Sequence, residues 1–164
     1  MNTINITFGR FSPVSIRHND LFNQLPDPSI IMITSTIDDD KNIFPPELKK
    51  KWIEILQPNK ICKIIKNPFQ GFEEIQNSYD CFNLLVGEDR KELVEKIQKY
   101  YPEKSINIKW IKRDFVSATK IRQALKDNNW NEFVKMVDNK VAVDIWENYN
   151  AIRFNKFSTI AINE

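Results

Sequence analysis

The sequence predicts an α/β fold, with a doubly wound parallel five-stranded sheet, helices on both faces and a helical C-terminus. Three observations predict it. Short apolar, β-branched runs alternate with longer segments whose apolar residues recur at helical spacing. The last third of the chain shows the helical period only. Glycine is confined to Gly9, Gly71 and Gly87, and two of these close expected strands, where a backbone without a side chain is needed. Strands alternating with helices of about ten residues imply right-handed βαβ units, and such units form a parallel sheet covered on both sides.

Residues 4–8 alternate apolar and polar and read as the first strand, and residues 18–24 as a short helix. The apolar, β-branched run 30–36 is the second strand. Asp38, Asp39, Asp40 and Lys41 form a charged loop, read as a solvated face and not as a metal site. Pro45 and Pro46 then open a helix with Leu48, Trp52, Ile55 and Leu56 on one face. The third strand is 61–65, a short helix over 69–77 follows Pro68, and the fourth strand is 81–86. The next helix has Leu93, Val94, Ile97 and Tyr100 as its inner face, and 106–111 is the fifth strand. Helices are expected over 120–126, 131–137 and 141–152. With no internal repeat and no long linker, residues 1–164 form one domain, with its core at 3–137 and a helical tail at 138–164.

Composition narrows the function. A hydrophobic content of 41% suffices for a sizeable core, and a net charge of +2 argues against a general nucleic-acid coat, so anion binding must be local. No apolar stretch approaches the ~18 residues of a membrane span, and Met1-Asn2-Thr3 lacks the pattern of a signal peptide. A cytoplasmic protein is expected. Cys62 and Cys81 have no metal-ligand spacing and read as small buried residues. His18 is the only histidine, which rules out a multi-histidine metal site. Trp146, Tyr149, Phe154 and Phe157 cover either the chain's own core or a partner subunit in a homo-oligomer.

Two segments carry the chemistry: Gly9-Arg10-Phe11-Ser12-Pro13-Val14-Ser15-Ile16-Arg17-His18 and Val116-Ser117-Ala118-Thr119-Lys120-Ile121-Arg122. A strand-end glycine turn, a histidine at the next helix N-terminus and a distant Ser/Thr/Arg helix start suit a polyphosphate, because helix N-termini attract anions and arginine grips phosphate bidentately. His18 is expected to donate to an α-phosphate and Arg122 to clamp the β- and γ-phosphates. Ser117 and Thr119 serve as helix caps, phosphate ligands or both. Lys120 reads equally as solvent-facing or phosphate-binding. Arg10 either ties the turn to a carboxylate or contacts phosphate, and Phe11 packs with its backbone near the nucleotide. Asp89 and Arg90 open the helix after the fourth strand.

The first segment resembles the nucleotidyltransferase signature G-R-F-x-P-x-(H/T)-x-G-H, and the second resembles its partner motif I-S-(S/A/G)-T-x-x-R. With Leu85-Val86-Gly87-Glu88-Asp89-Arg90 between them, the blocks are similar to the adenylyl/cytidylyltransferase superfamily. The form is that of small bacteriophage-type proteins resembling nicotinamide-mononucleotide adenylyltransferases. Ser15 stands where that signature has His or Thr, and Arg17 where it has Gly. The Arg17 cation turns either into the phosphate site or outward, and outward is expected because further positive charge there would repel Arg122 and Lys120.

The resemblance implies a Rossmann-like sheet in which the first and fourth strands are neighbours, so that the motifs converge and Cys62 lies on an edge strand away from Cys81. It implies nucleotide binding by Gly9, Arg10, Phe11, Ser15, His18, Gly87, Asp89, Arg90, Ser117, Thr119, Lys120 and Arg122, with His18 and Arg122 catalytic and the Asp89 segment beside the ribose or the acceptor. The partners it implies are a nucleoside triphosphate, a phosphorylated small-molecule acceptor and Mg²⁺ accompanying the triphosphate. AMP transfer from ATP to nicotinamide mononucleotide is the favoured reaction, in the host cytoplasm if the protein is phage-encoded. Cytidylyl transfer, adenylyl transfer to phosphopantetheine and a nucleotide-binding regulator without turnover are the alternatives. No side-chain nucleophile is paired with a base, and none is needed, since a phosphate monoester (second pKa near ~6) is already a dianion at neutral pH.

Overall fold

The computed structural model describes residues 2–37, 42–112 and 115–162, with side chains for all of these except 115–117 and 155–162. The charged run 38–41 lies outside the described residues. Five parallel strands, β1 (Thr3–Gly9), β2 (Ser29–Thr34), β3 (Ile61–Ile65), β4 (Cys81–Gly87) and β5 (Ser105–Ile111), form one sheet in the order β3-β2-β1-β4-β5. The helices are α1 (Ile16–Gln24), α2 (Pro46–Leu56), α3 (Pro68–Ile75), α4 (Lys91–Tyr100), α5 (Phe115–Lys126), α6 (Trp130–Met136) and α7 (Asn139–Ile162).

Strand alternation divides the interior into two cores. Ile31 and Ile33 of β2 face one core, with Phe22 of α1, Trp52 and Ile53 of α2, Ile121 and Leu125 of α5, Phe133 of α6 and Ile145 of α7. Their neighbours Ile30 and Met32 face the other, with Phe72 of α3 and Val94 and Ile97 of α4. Helices therefore cover both faces, as the sequence predicts, and the strand order reverses between β1 and β4. Thr7 ties the two strands there by donating from Oγ1 to the Leu85 carbonyl at 2.8 Å.

Several local expectations change. Helix α1 begins at Ile16, two residues earlier than expected, and β2 ends at Thr34. The inner face of α2 is Leu48, Lys49, Trp52, Ile53 and Leu56, while Ile55 is exposed, because the stripe runs through 49, 52, 53 and 56. Tyr100 is likewise outside the core and edges onto Phe69 instead. Lys49 is fully buried, its Nζ donating to the Thr34 carbonyl at 3.0 Å and to Asn42 Oδ1 at 2.6 Å. The two cysteines are free and half-buried, with Cys62 on edge strand β3, and burial helps push its thiol pKa up to about 11. Trp146 packs on Trp130 and Phe133, Tyr149 also packs on the chain's own core, and Phe154 is exposed. Phe157 lies outside the described side chains.

Candidate active site

In an open parallel sheet, a crevice forms at the carboxyl ends of the strands where the strand order reverses. Here a cleft of about 920 Å³ lies at the ends of β1, β4 and β5. Among the described residues its wall carries six cationic side chains (Arg10, Arg17, Arg90, Lys109, Lys112 and Arg122) against two acidic ones, Asp20 and Asp89. In a chain of net charge +2 the positive charge is concentrated in this cleft, so a polyanion is the ligand class it suits.

The β1–α1 turn is shaped around the Phe11 ring. Phe11 has φ 47°, left-handed and unfavourable for a bulky residue, yet its ring is buried. A Cβ on Gly9 would come within 3.1 Å of that ring, so the glycine is needed for close approach. The ring meets His18 edge-on at 5.0 Å and Phe22 at 5.2 Å. Ser15 caps α1: its Oγ accepts from the His18 backbone N–H at 3.2 Å, and its own N–H donates to His18 Nδ1 at 3.0 Å. The result is a capping box in which histidine takes the place usually held by Glu or Gln.

This box sets the state of His18. With Nδ1 accepting, the neutral ring carries its proton on Nε2 and can donate it to a ligand. Burial pushes the pKa of the imidazole down from 6.5 to about 4. The group is thus neutral in the fold at pH 7. The unfolded chain binds the proton more readily between about 4 and 6.5, so stability is full above that window and falls as pH drops through it. In the ligand-free protein, the His18 proton resonances are expected to titrate near pH 4, and thermal stability to fall between pH 6.5 and 4 more steeply in wild type than in His18→Asn. A midpoint near 6.5 would contradict the half-buried, neutral ring.

At the end of β4, a Cβ on Gly87 would lie 2.6 Å from Asp89 Oδ1, so this glycine lets Asp89 fold back over the strand end. Asp89 and Arg90 stand in a 3₁₀ turn (Glu88–Arg90) ahead of α4 and not within that helix, and Arg90 Nε lies 3.9 Å from Asp89 Oδ2. On α5, Ala118, Thr119 and Arg122 share the face that lines the cleft. Helix α5 begins at Phe115, so Ser117 and Thr119 lie inside the helix and neither is its N-cap. The side chain of Ser117 lies outside the described residues. Lys120 is exposed and absent from the cleft wall, because it points about 100° around the helix from Thr119.

Gly9, Arg10, Phe11, Ser15, His18, Gly87, Asp89, Arg90, Thr119 and Arg122 therefore share one cleft. Arg17 is exposed and is one of the residues of the same wall. At the water-screened rim, repulsion between cations is weak. Arg17→Gly is expected to weaken triphosphate binding, more so at low salt, and equal affinities at two ionic strengths would remove Arg17 from the site. Sequence reasoning misses Asp20, Lys109, Trp110 and Lys112. It also misses Ser12, whose buried hydroxyl has no hydrogen-bond partner among the described residues.

No family model matches the chain, and no curated protein matches it in sequence. Solved structures do. A Plasmodium falciparum nicotinic acid mononucleotide adenylyltransferase complexed with NaAD superposes with a TM-score of 0.65 at 16% identity, covering 94% of this chain and 98% of that one. The fold is that of the mononucleotide adenylyltransferases. A Vibrio parahaemolyticus protein assigned as a nicotinate-nucleotide adenylyltransferase shares this fold, with a TM-score of 0.64 at 16% identity over 88% of this chain and 99% of that one. So does a bifunctional NMN adenylyltransferase/ADP-ribose pyrophosphatase from Francisella tularensis, with a TM-score of 0.62 at 17% identity. The chain matches over its full length and spans 57% of that larger enzyme. Among the described residues no helix is long and apolar enough to cross a membrane, and no group of three His, Cys, Asp or Glu side chains could hold a metal ion.

Proposed function

We propose that the chain is a nucleotidyltransferase that moves the AMP of ATP onto a phosphate-bearing acceptor, nicotinamide mononucleotide being the favoured one, and releases pyrophosphate. One observation carries the reading: His18, its Nδ1 taken by the Ser15 N–H and its Nε2 left to donate, shares a cationic cleft with Arg122 at the β1/β4 reversal point. An acceptor phosphate oxygen attacks the α-phosphorus, the bond to the bridging oxygen of the β-phosphate breaks, and pyrophosphate leaves with that electron pair. The acceptor is already anionic, so the protein has to align the two anions and neutralise the developing charge.

His18 donates from Nε2 to a non-bridging α-phosphate oxygen, where negative charge grows in the transition state. Arg122 grips the β- and γ-phosphates, and Arg10 and Arg90 add positive charge. A Mg²⁺ ion accompanying the triphosphate would supply further charge neutralisation beside Asp20 and Asp89. Among the described residues the cleft carboxylates, Asp20 and Asp89, are too few for a protein cage and suit an ion held largely by phosphate and water. We place the reaction in the cytoplasm, that of the host if the protein is phage-encoded.

Pyrophosphate release tests this directly, with ATP or CTP offered against nicotinamide mononucleotide, nicotinic acid mononucleotide and phosphopantetheine. ATP with a mononucleotide should give turnover. Preference for CTP or for phosphopantetheine would reassign the substrate, and ATP binding without pyrophosphate from any acceptor would leave a nucleotide-binding regulator.

A further inference from the structure

Trp110 has no part in the chemistry above, and its setting is unusual for an indole. Ile106 and Ile108 of β5 pack, half-buried, against the core under α3 and α4, and Trp110 extends that stripe beyond it. It is 39% exposed and forms part of the cleft wall. The chain's other three tryptophans each pack against aromatic rings: Trp52 on Phe44, Trp130 on Phe133, and Trp146 on both Trp130 and Phe133. Among the described residues Trp110 has no ring partner and no cation over its face. Strand register sets it opposite Val86, beside the turn that carries Asp89 and Arg90, and Lys109 and Lys112 join it in the wall. A flat apolar face among cations suits a ligand that combines an aromatic ring with phosphates.

We propose that Trp110 is the stacking platform for the base of the nucleoside triphosphate; the inference rests on reading the cleft as a triphosphate site. The base is assigned here ahead of the acceptor ring on connectivity. Strand β5 runs on to α5, which contributes Thr119 and Arg122, so a nucleotide with its phosphates along α5 lays its base over the end of β5. The acceptor approaches the α-phosphorus from the side opposite the departing pyrophosphate and takes the other half of the cleft. Stacking tolerates any base, because each has a π-face, so Trp110 adds affinity without choosing between ATP and CTP.

The test compares Mg²⁺-ATP with inorganic tripolyphosphate, which has the charge and lacks the base, by calorimetry on wild type, Trp110→Ala and Trp110→Phe. Trp110→Ala should weaken ATP binding roughly ten- to a hundredfold and leave tripolyphosphate binding unchanged, while Trp110→Phe recovers most of the loss. ATP, but not tripolyphosphate, should also perturb the tryptophan fluorescence of wild type, and Trp110→Phe should abolish that signal. This second readout does not depend on the alanine variant folding. Unchanged ATP affinity in Trp110→Ala, or equal losses for the two ligands, overturns the assignment. A Trp110-dependent gain for ATP without pyrophosphate release from any acceptor keeps the assignment and removes the transferase reading. A wild type that binds neither ligand overturns both.

Discussion

His18→Ala is expected to lower turnover by roughly two to three powers of ten while leaving most of the triphosphate affinity in place. The Nε2 proton is fixed in position before the substrate arrives, because the Ser15 N–H occupies Nδ1 at 3.0 Å and Phe11 packs edge-on against the ring. A donor aimed in advance at growing charge acts mainly on the transition state, so its loss appears in kcat and little in KM. Alanine also deprives the Ser15 N–H of its acceptor, which costs about 1 kcal/mol of stability. His18→Asn separates the two effects. Its side-chain oxygen can take the Nδ1 position and restore the cap, but nothing replaces the Nε2 donor. Melting temperature should therefore recover in His18→Asn while the rate stays low, and near-normal turnover in either variant would remove His18 from the chemistry.

Arg122→Ala is expected to lower kcat/KM by about a hundredfold or more and, unlike His18→Ala, to raise the triphosphate KM as well. Arg122 stands one helical turn beyond Ala118 and Thr119, on the α5 face that lines the cleft. A guanidinium fork gives two charge-assisted hydrogen bonds to phosphate, each worth about 1.5–3 kcal/mol. The β- and γ-phosphates are charged before the reaction as well as during it, so the grip exists in both states. Arg122→Lys should restore part of the affinity through charge alone, since a point charge lacks the fork. If steady-state kinetics are unchanged in Arg122→Ala and only the melting temperature falls, Arg122 is a structural ion-pair residue.

The strands were legible in the sequence because buried parallel strands leave apolar, β-branched runs, and all five fall where those runs predict them. The boundaries of α1 and α5 were less legible, for a chemical reason. Ser15 caps α1 with a histidine completing the box, a pairing hidden from any search for Glu or Gln three residues on. Around Ser117 the hydroxyl pattern pointed the other way, suggesting a cap where the helix had already begun at Phe115. Lys109, Trp110 and Lys112 could not have been picked out locally, since on sequence they are ordinary residues at the end of a strand. Their place in the cleft follows from β5 pairing with β4, which is a property of the whole sheet.

The left-handed bend at Phe11 has a further consequence. A bulky residue at φ 47° costs on the order of 1–3 kcal/mol, and burying its ring is worth about as much or slightly more. The loop therefore keeps its shape because Phe22 and the core beneath it hold the ring down, not because residues 9–18 favour that shape themselves. The decapeptide is accordingly not a portable cassette. Grafted onto a different strand and helix without that apolar bed, it would relax to an ordinary negative φ, and His18 would lose the ring it leans on.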